Sequence, residues 1–113
     1  MSSSFDPYIK AGERALGQLE AYRDVARRVK EAARQIWKDC RLYVFGSVLD
    51  KRYTASSDID ILIVVDGVDR EEATRAKARI LGAIDAPIEL HIVSSGELER
   101  WYSRFIDKLE EVR

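Results

Sequence analysis

Cysteine, proline and histidine are nearly missing from this chain, and asparagine is missing altogether. Cys40 is the only cysteine, so no disulfide can form within the chain, and a reducing, cytoplasmic setting is expected. The residue itself reads as a small side chain at the entrance of a strand. Residues 1–15 lack the apolar segment of a signal peptide. The longest purely apolar run, Ile61–Val65, is far short of a membrane span. Neither charge is in excess, with 19 Lys and Arg against 20 Asp and Glu and a net charge of −1. A protein that tracks a long polyanion is normally more basic, so the balance speaks against a grip on long nucleic acid and leaves small phosphorylated ligands open. Glutamine occurs only at 18 and 35 while Arg and Glu are abundant, a bias that resembles heat-adapted proteins.

What is present fits one domain. A chain of 113 residues builds a single core, burying ~65% of its unfolded surface, with no room for a second catalytic domain. Residues 8–38 read as one long helix, with Tyr22, Val25, Ala26, Val29, Ala33 and Ile36 on one face; Gly12 and Gly17 weaken its first part. Beside that face runs a basic stripe, Arg23, Arg27, Lys30 and Arg34, either a solvated flank or a surface for phosphate or an acidic partner.

Arg41–Gly46 has strand composition, Ser47–Ser57 is a polar connection, and Asp58–Val65 is a second strand closed by the turn pair Asp66-Gly67. Asp69 with Glu72 predicts an N-cap and a helix to about Gly82. Pro87 opens a third strand, Ile88–Val93. Ser94 with Glu97 predicts a capping box for a last helix over 95–111, whose stripe of Leu98, Trp101, Tyr102, Phe105, Leu109 and Val112 serves either the core or an interface, a homodimer included. The order is α-β-β-α-β-α. It defines an α/β (α+β) domain over 1–113, a small mixed β-sheet of three or more strands with helices packed on it and a core of function at about 40–95.

Two features carry chemistry. Asp58 and Asp60 are i, i+2 on a strand, so their carboxylates share a face at the edge of an apolar run. At ~5 Å and an effective dielectric of ~20, two such charges repel by about 3 kcal/mol, so the pair asks for a cation or a raised pKa. Gly46-Ser47 ends the preceding strand. A glycine there permits close approach of a ligand, and a helical turn after it would point N–H groups at an anion, with Lys51 and Arg52 near in sequence. Taken singly, a turn needs no ligand and strand-edge carboxylates can merely discourage wrong pairing.

Together they form GS-x10-DxD, with Ser57 just before the first Asp. This pattern resembles the signature of the DNA polymerase β-type nucleotidyltransferase superfamily, and the short length resembles its minimal nucleotidyltransferase (MNT) branch. The resemblance covers roughly residues 40–95 and implies the nucleotidyltransferase fold. It implies a third carboxylate on a neighbouring strand, for which Glu89 in Ile88-Glu89-Leu90 is the candidate. Asp58, Asp60 and Glu89 would then hold two Mg²⁺ ions and carry catalysis, while Gly46 and Ser47, with Lys51 and Arg52, would bind the triphosphate of ATP or another NTP. The implied reaction moves an NMP, AMP from ATP foremost, to a hydroxyl acceptor. Members of this branch commonly pair with a small helical HEPN-domain protein and can act as antitoxin by adenylylating it. The alternative is a nucleotide-binding module that only masks such a partner. His91, two residues beyond Glu89 on the same strand face, reads either as a base or phosphate ligand or as a partly exposed strand histidine.

Overall fold

The computed structural model describes residues 6–105 and 108–113, without the side chains of 101–103 and 105. The side chains of Trp101, Tyr102 and Phe105, expected on the stripe of the last helix, lie outside that set. Helices α1 (Asp6–Glu20) and α2 (Tyr22–Ile36) are followed by β1 (Arg41–Phe45) and β2 (Ile59–Val64). Then come α3 (Arg70–Ala83), β3 (Ile88–Val93), α4 (Ser95–Phe105) and β4 (Glu110–Glu111). The sheet order is β3-β2-β1-β4. β1 is antiparallel to β2 and to β4, and β2 is parallel to β3, as the helical crossover through α3 requires.

Alternation divides the sheet into two unlike faces. On one, Leu42, Val44, Ile59, Ile61, Ile63 and Leu90 meet the buried stripe of α2, Val25, Ala26, Val29 and Ala33, together with Ile80 of α3. The two alanines let the α2 backbone come close to the strands. On the other face Leu62, Val64 and Val93 form a smaller cluster with Tyr43, Phe45 and Leu98 of α4. Asp60 and Glu89 belong to this second face by alternation. They stand at the N-terminal ends of their strands, ahead of the apolar residues that face α4.

The caps follow the local sequence. Asp69 accepts from the Glu72 N–H at 2.8 Å and starts α3. Ser94 and Glu97 satisfy each other's backbone N–H groups, at 3.2 and 3.0 Å, ahead of α4.

Two expectations are corrected. The single helix over 8–38 is two helices, and the break falls at neither glycine but at Ala21, whose ψ of 31° leaves the helical region. Beyond it α1 turns to reach the loops before β2 and β3. Gly12 lies over Ala55, and Asp85 receives Arg14 Nη2 at 2.6 Å on its carboxylate and Gln18 Nε2 at 2.7 Å on its carbonyl. The exposed large apolar side chains of the described residues, Tyr8, Ile9 and Leu16, are all on α1. The last helix does not run to 111. It ends at Phe105, and Glu110–Glu111 pair with Val44 and Tyr43 as a fourth strand. Two glutamates carry almost no strand preference. What holds them is tertiary: Glu110 accepts from Tyr22 Oη and Arg23 Nε, Val112 N–H donates to Leu42, and Lys30 Nζ donates to the Val112 carbonyl. No helix among the described residues is long and apolar enough to cross a membrane.

Candidate active site

Three elements converge at the open end of the second face. The parallel register puts Asp60 beside Glu89, and the antiparallel register puts Asp60 opposite Phe45, the residue before Gly46. A hydrogen bond of 2.7 Å from the Ile59 N–H to the Pro87 carbonyl ties the starts of β2 and β3 and fixes that register where the carboxylates project. One ligand atom each from Asp60, Glu89 and His91 lies within 4.8 Å of the other two. His91 Nε2 is 3.8 Å from Glu89 Oε1, and its ring packs on Phe45 with centroids 5.6 Å apart.

The electrostatics of the group are those of a site short of positive charge. Partial burial pushes the Asp60 carboxyl up to about 6, and the hydrogen bond with Glu89 and the charges of Glu89 and Asp58 add to it. Burial lowers the His91 pKa; Glu89 acts against that shift and Lys77 acts with it. Two carboxylates and an imidazole within chelating distance suit a divalent cation, which would relieve the strain of holding Asp60 ionised.

Gly46 is required here for two reasons. Its φ is +86°, and a Cβ built on it would lie 2.1 Å from Asp60 Oδ2. The glycine therefore makes room for the carboxylate as well as for the turn. After it the chain closes a tight turn. Leu49 N–H donates to the Gly46 carbonyl, and the N–H groups of Asp50 and Arg52 donate to the Ser47 carbonyl, each at 3.1 Å. Among the described residues nothing accepts from the N–H groups of Ser47 and Val48. Lys51, with φ 56°, and Arg52 end the turn, both exposed. Asp50 on the same turn is paired with Lys108. Ser57 Oγ accepts from the Thr54 N–H at 3.0 Å and closes the loop that delivers Asp58.

The structure thus brings together Asp60, Glu89 and the Gly46-Ser47 turn. It leaves Asp58 exposed, one residue before β2 begins, outside the close group but near enough for its charge to act on Asp60. Lys51 and Arg52 make no contact with the carboxylates among the interactions described. His91, read from the sequence as a base or phosphate ligand or a partly exposed strand histidine, is the member to which no metal-binding role was assigned. The available signal was its i+2 spacing from Glu89; what could not be read was the lean of its ring.

A mixed sheet with a parallel β2–β3 pair, a glycine turn after β1 and acidic groups at the starts of β2 and β3 defines a nucleotidyltransferase. The profile of the nucleotidyltransferase domain family matches residues 26–112, and the chain belongs to that family. Its single sheet with a few helices is consistent with the minimal branch. Among solved structures it is similar to a proposed nucleotidyltransferase at 30% identity and a TM-score of 0.54, covering 77% of this chain and 96% of that one. A second, from Sulfolobus solfataricus and also a proposed nucleotidyltransferase, has a TM-score of 0.53 at 22% identity, covering 91% of this chain and 83% of that one, and shares the fold. No curated protein matches the chain.

Proposed function

We propose that this nucleotidyltransferase moves a nucleoside monophosphate, AMP from ATP in the first instance, onto a hydroxyl of a separate acceptor protein. The observation that carries the reading is the Asp60–Glu89 pair on adjacent parallel strands, beside a glycine whose missing Cβ leaves the space the Asp60 carboxylate occupies. In this reading the turn at Gly46 and Ser47 receives the β- and γ-phosphates on its unused N–H groups, with Lys51 and Arg52 supplying positive charge. Asp58, Asp60 and Glu89 are the metal-binding and catalytic carboxylates. Two bound Mg²⁺ ions would neutralise the triphosphate and lower the pKa of the attacking hydroxyl. The hydroxyl oxygen attacks the α-phosphorus, the bond to the bridging oxygen of the pyrophosphate breaks, and the hydroxyl proton passes to the Glu89 carboxylate. By resemblance to the minimal branch, a small helical HEPN-type protein is the acceptor, in a toxin–antitoxin relation, and the setting is cytoplasmic.

The competing reading, a module that masks its partner without turnover, depends on a third carboxylate out of reach. Support for catalysis comes from a Glu89 carboxylate oxygen lying within 4.8 Å of one of Asp60, close enough for one cation to join them. Incubation with α-labelled ATP, Mg²⁺ and a candidate HEPN-type partner tests it. Label should move to the partner, and Asp60→Asn or Glu89→Gln should stop the transfer. A stable complex with no label on either protein would favour masking instead.

A further inference from the structure

The family pattern uses carboxylates alone, yet the close group in this chain contains an imidazole. The position of that ring follows from the sheet. His91 is paired with Leu62, and Phe45 with Asp60, so β2 lies between the two rings. Strands two apart are separated by ~10 Å. Ring centroids only 5.6 Å apart therefore require both rings to lean over β2, on the face that carries Asp60. His91 is thus turned into the carboxylate group and away from the outer edge of the sheet, with its side chain 29% exposed and Nε2 3.8 Å from Glu89 Oε1. Asp58, which the family pattern would put first, is the member that stands apart.

We propose that His91 is a metal-binding residue, forming with Asp60 and Glu89 a two-carboxylate, one-imidazole site that favours Mn²⁺ over Mg²⁺ relative to a site of carboxylates alone. Mg²⁺ keeps to oxygen donors and near-ideal octahedral geometry, whereas transition ions accept imidazole nitrogen readily. The inference rests on the group being a metal site, as proposed above, and is independent of the acceptor's identity. It divides the donors into an exposed oxygen-only side at Asp58 and a half-buried nitrogen-containing side at His91, with Asp60 common to both.

Mn²⁺ is also the probe. Titration of the intact protein with Mn²⁺, with a non-hydrolysable ATP analogue present, is followed by electron paramagnetic resonance, and Mg²⁺ affinity is read by competition. Pulsed measurement on the wild type should show a directly coordinated ¹⁴N, a signature that needs no variant to fold. His91→Gln, which keeps the volume and loses the ring nitrogen, should remove that coupling and weaken Mn²⁺ by about 10-fold or more, while Mg²⁺ changes by less than about 3-fold. Mn²⁺ bound without nitrogen coupling, or both metals weakened equally, would overturn the role of His91 and leave nucleotidyl transfer standing. No binding of either ion would overturn both.

Discussion

Replacing Asp60 by Asn should stabilise the metal-free protein while destroying its function. Asp60 is held with its pKa at about 6 against an ordinary 3.8, chiefly because it is partly buried and then because Glu89 and Asp58 are near. A factor of ten in protonation is worth ~1.4 kcal/mol, so the full shift corresponds to about 3 kcal/mol. Partial access to water and the sharing of a proton with Glu89 reduce the usable part to about 1–2 kcal/mol. The sign follows from linkage. The native state binds this proton more tightly than the unfolded chain, so the group's penalty is absent below about pH 4, grows as pH rises towards 6, and is complete above about 7. Asparagine removes the charge at every pH. In a chelator, Asp60→Asn should therefore unfold a few degrees higher than wild type at pH 8 and at the same temperature near pH 4. With divalent ion present the order should reverse, because only the wild type gains binding energy. Thermal melts of both proteins at three pH values, with and without metal, suffice. A variant less stable than wild type at pH 8 in chelator, or a difference that ignores pH, would refute the electrostatic account.

Gly46→Ala should cost about 1–2 kcal/mol for the positive φ alone, and the new Cβ, 2.1 Å from Asp60 Oδ2, must displace that carboxylate. Thermal melts should show the loss and Mn²⁺ titration a weakened site; unchanged values for both would contradict the packing. Glu110→Gln should lower stability by about 0.5–1 kcal/mol in chemical denaturation near neutral pH. Since Arg23, then the Tyr22 hydrogen bond, hold the Glu110 carboxyl below its ordinary value, that deficit should fade as the medium becomes acid enough to protonate it. Ser94→Ala should cost about 1 kcal/mol. Combined with Glu97→Ala it should cost less than the two single changes added, because each capping bond depends on the same helix start.

Elements with their own local signals were legible at residue resolution. Asp69 with Glu72 and Ser94 with Glu97 announce helix starts because the capping bonds join residues three apart, and the structure contains those bonds. The strand Ile88–Val93 was legible from Pro87 and the alternation that follows it. What stayed hidden depends on partners distant in sequence. The break at Ala21 reflects the anchoring of α1 at Asp85, more than 60 residues away. The strand at Glu110–Glu111 is made by the edge of β1 and by Tyr22, Arg23 and Lys30, against the preference of the residues themselves.

The same distinction runs through the site. GS-x10-DxD is a local statement, and it located the turn and the aspartates but not the neighbours that register gives Asp60. Asp58 precedes β2, which begins at Ile59. Asp60 alone is fixed by the ladder. Its near neighbours are then decided by register: Glu89 and His91, held across a parallel pairing that the Ile59–Pro87 hydrogen bond locks. A one-residue slip would turn Glu89 and His91 to the α2 face and put Ile88 or Leu90 beside Asp60. The buried Ile61, Ile63 and Leu90 forbid that slip, since it would take apolar side chains out of the main core. The Asp60–Glu89–His91 arrangement is therefore maintained by the apolar alternation of β2 and β3, and Asp58 lies outside that ladder.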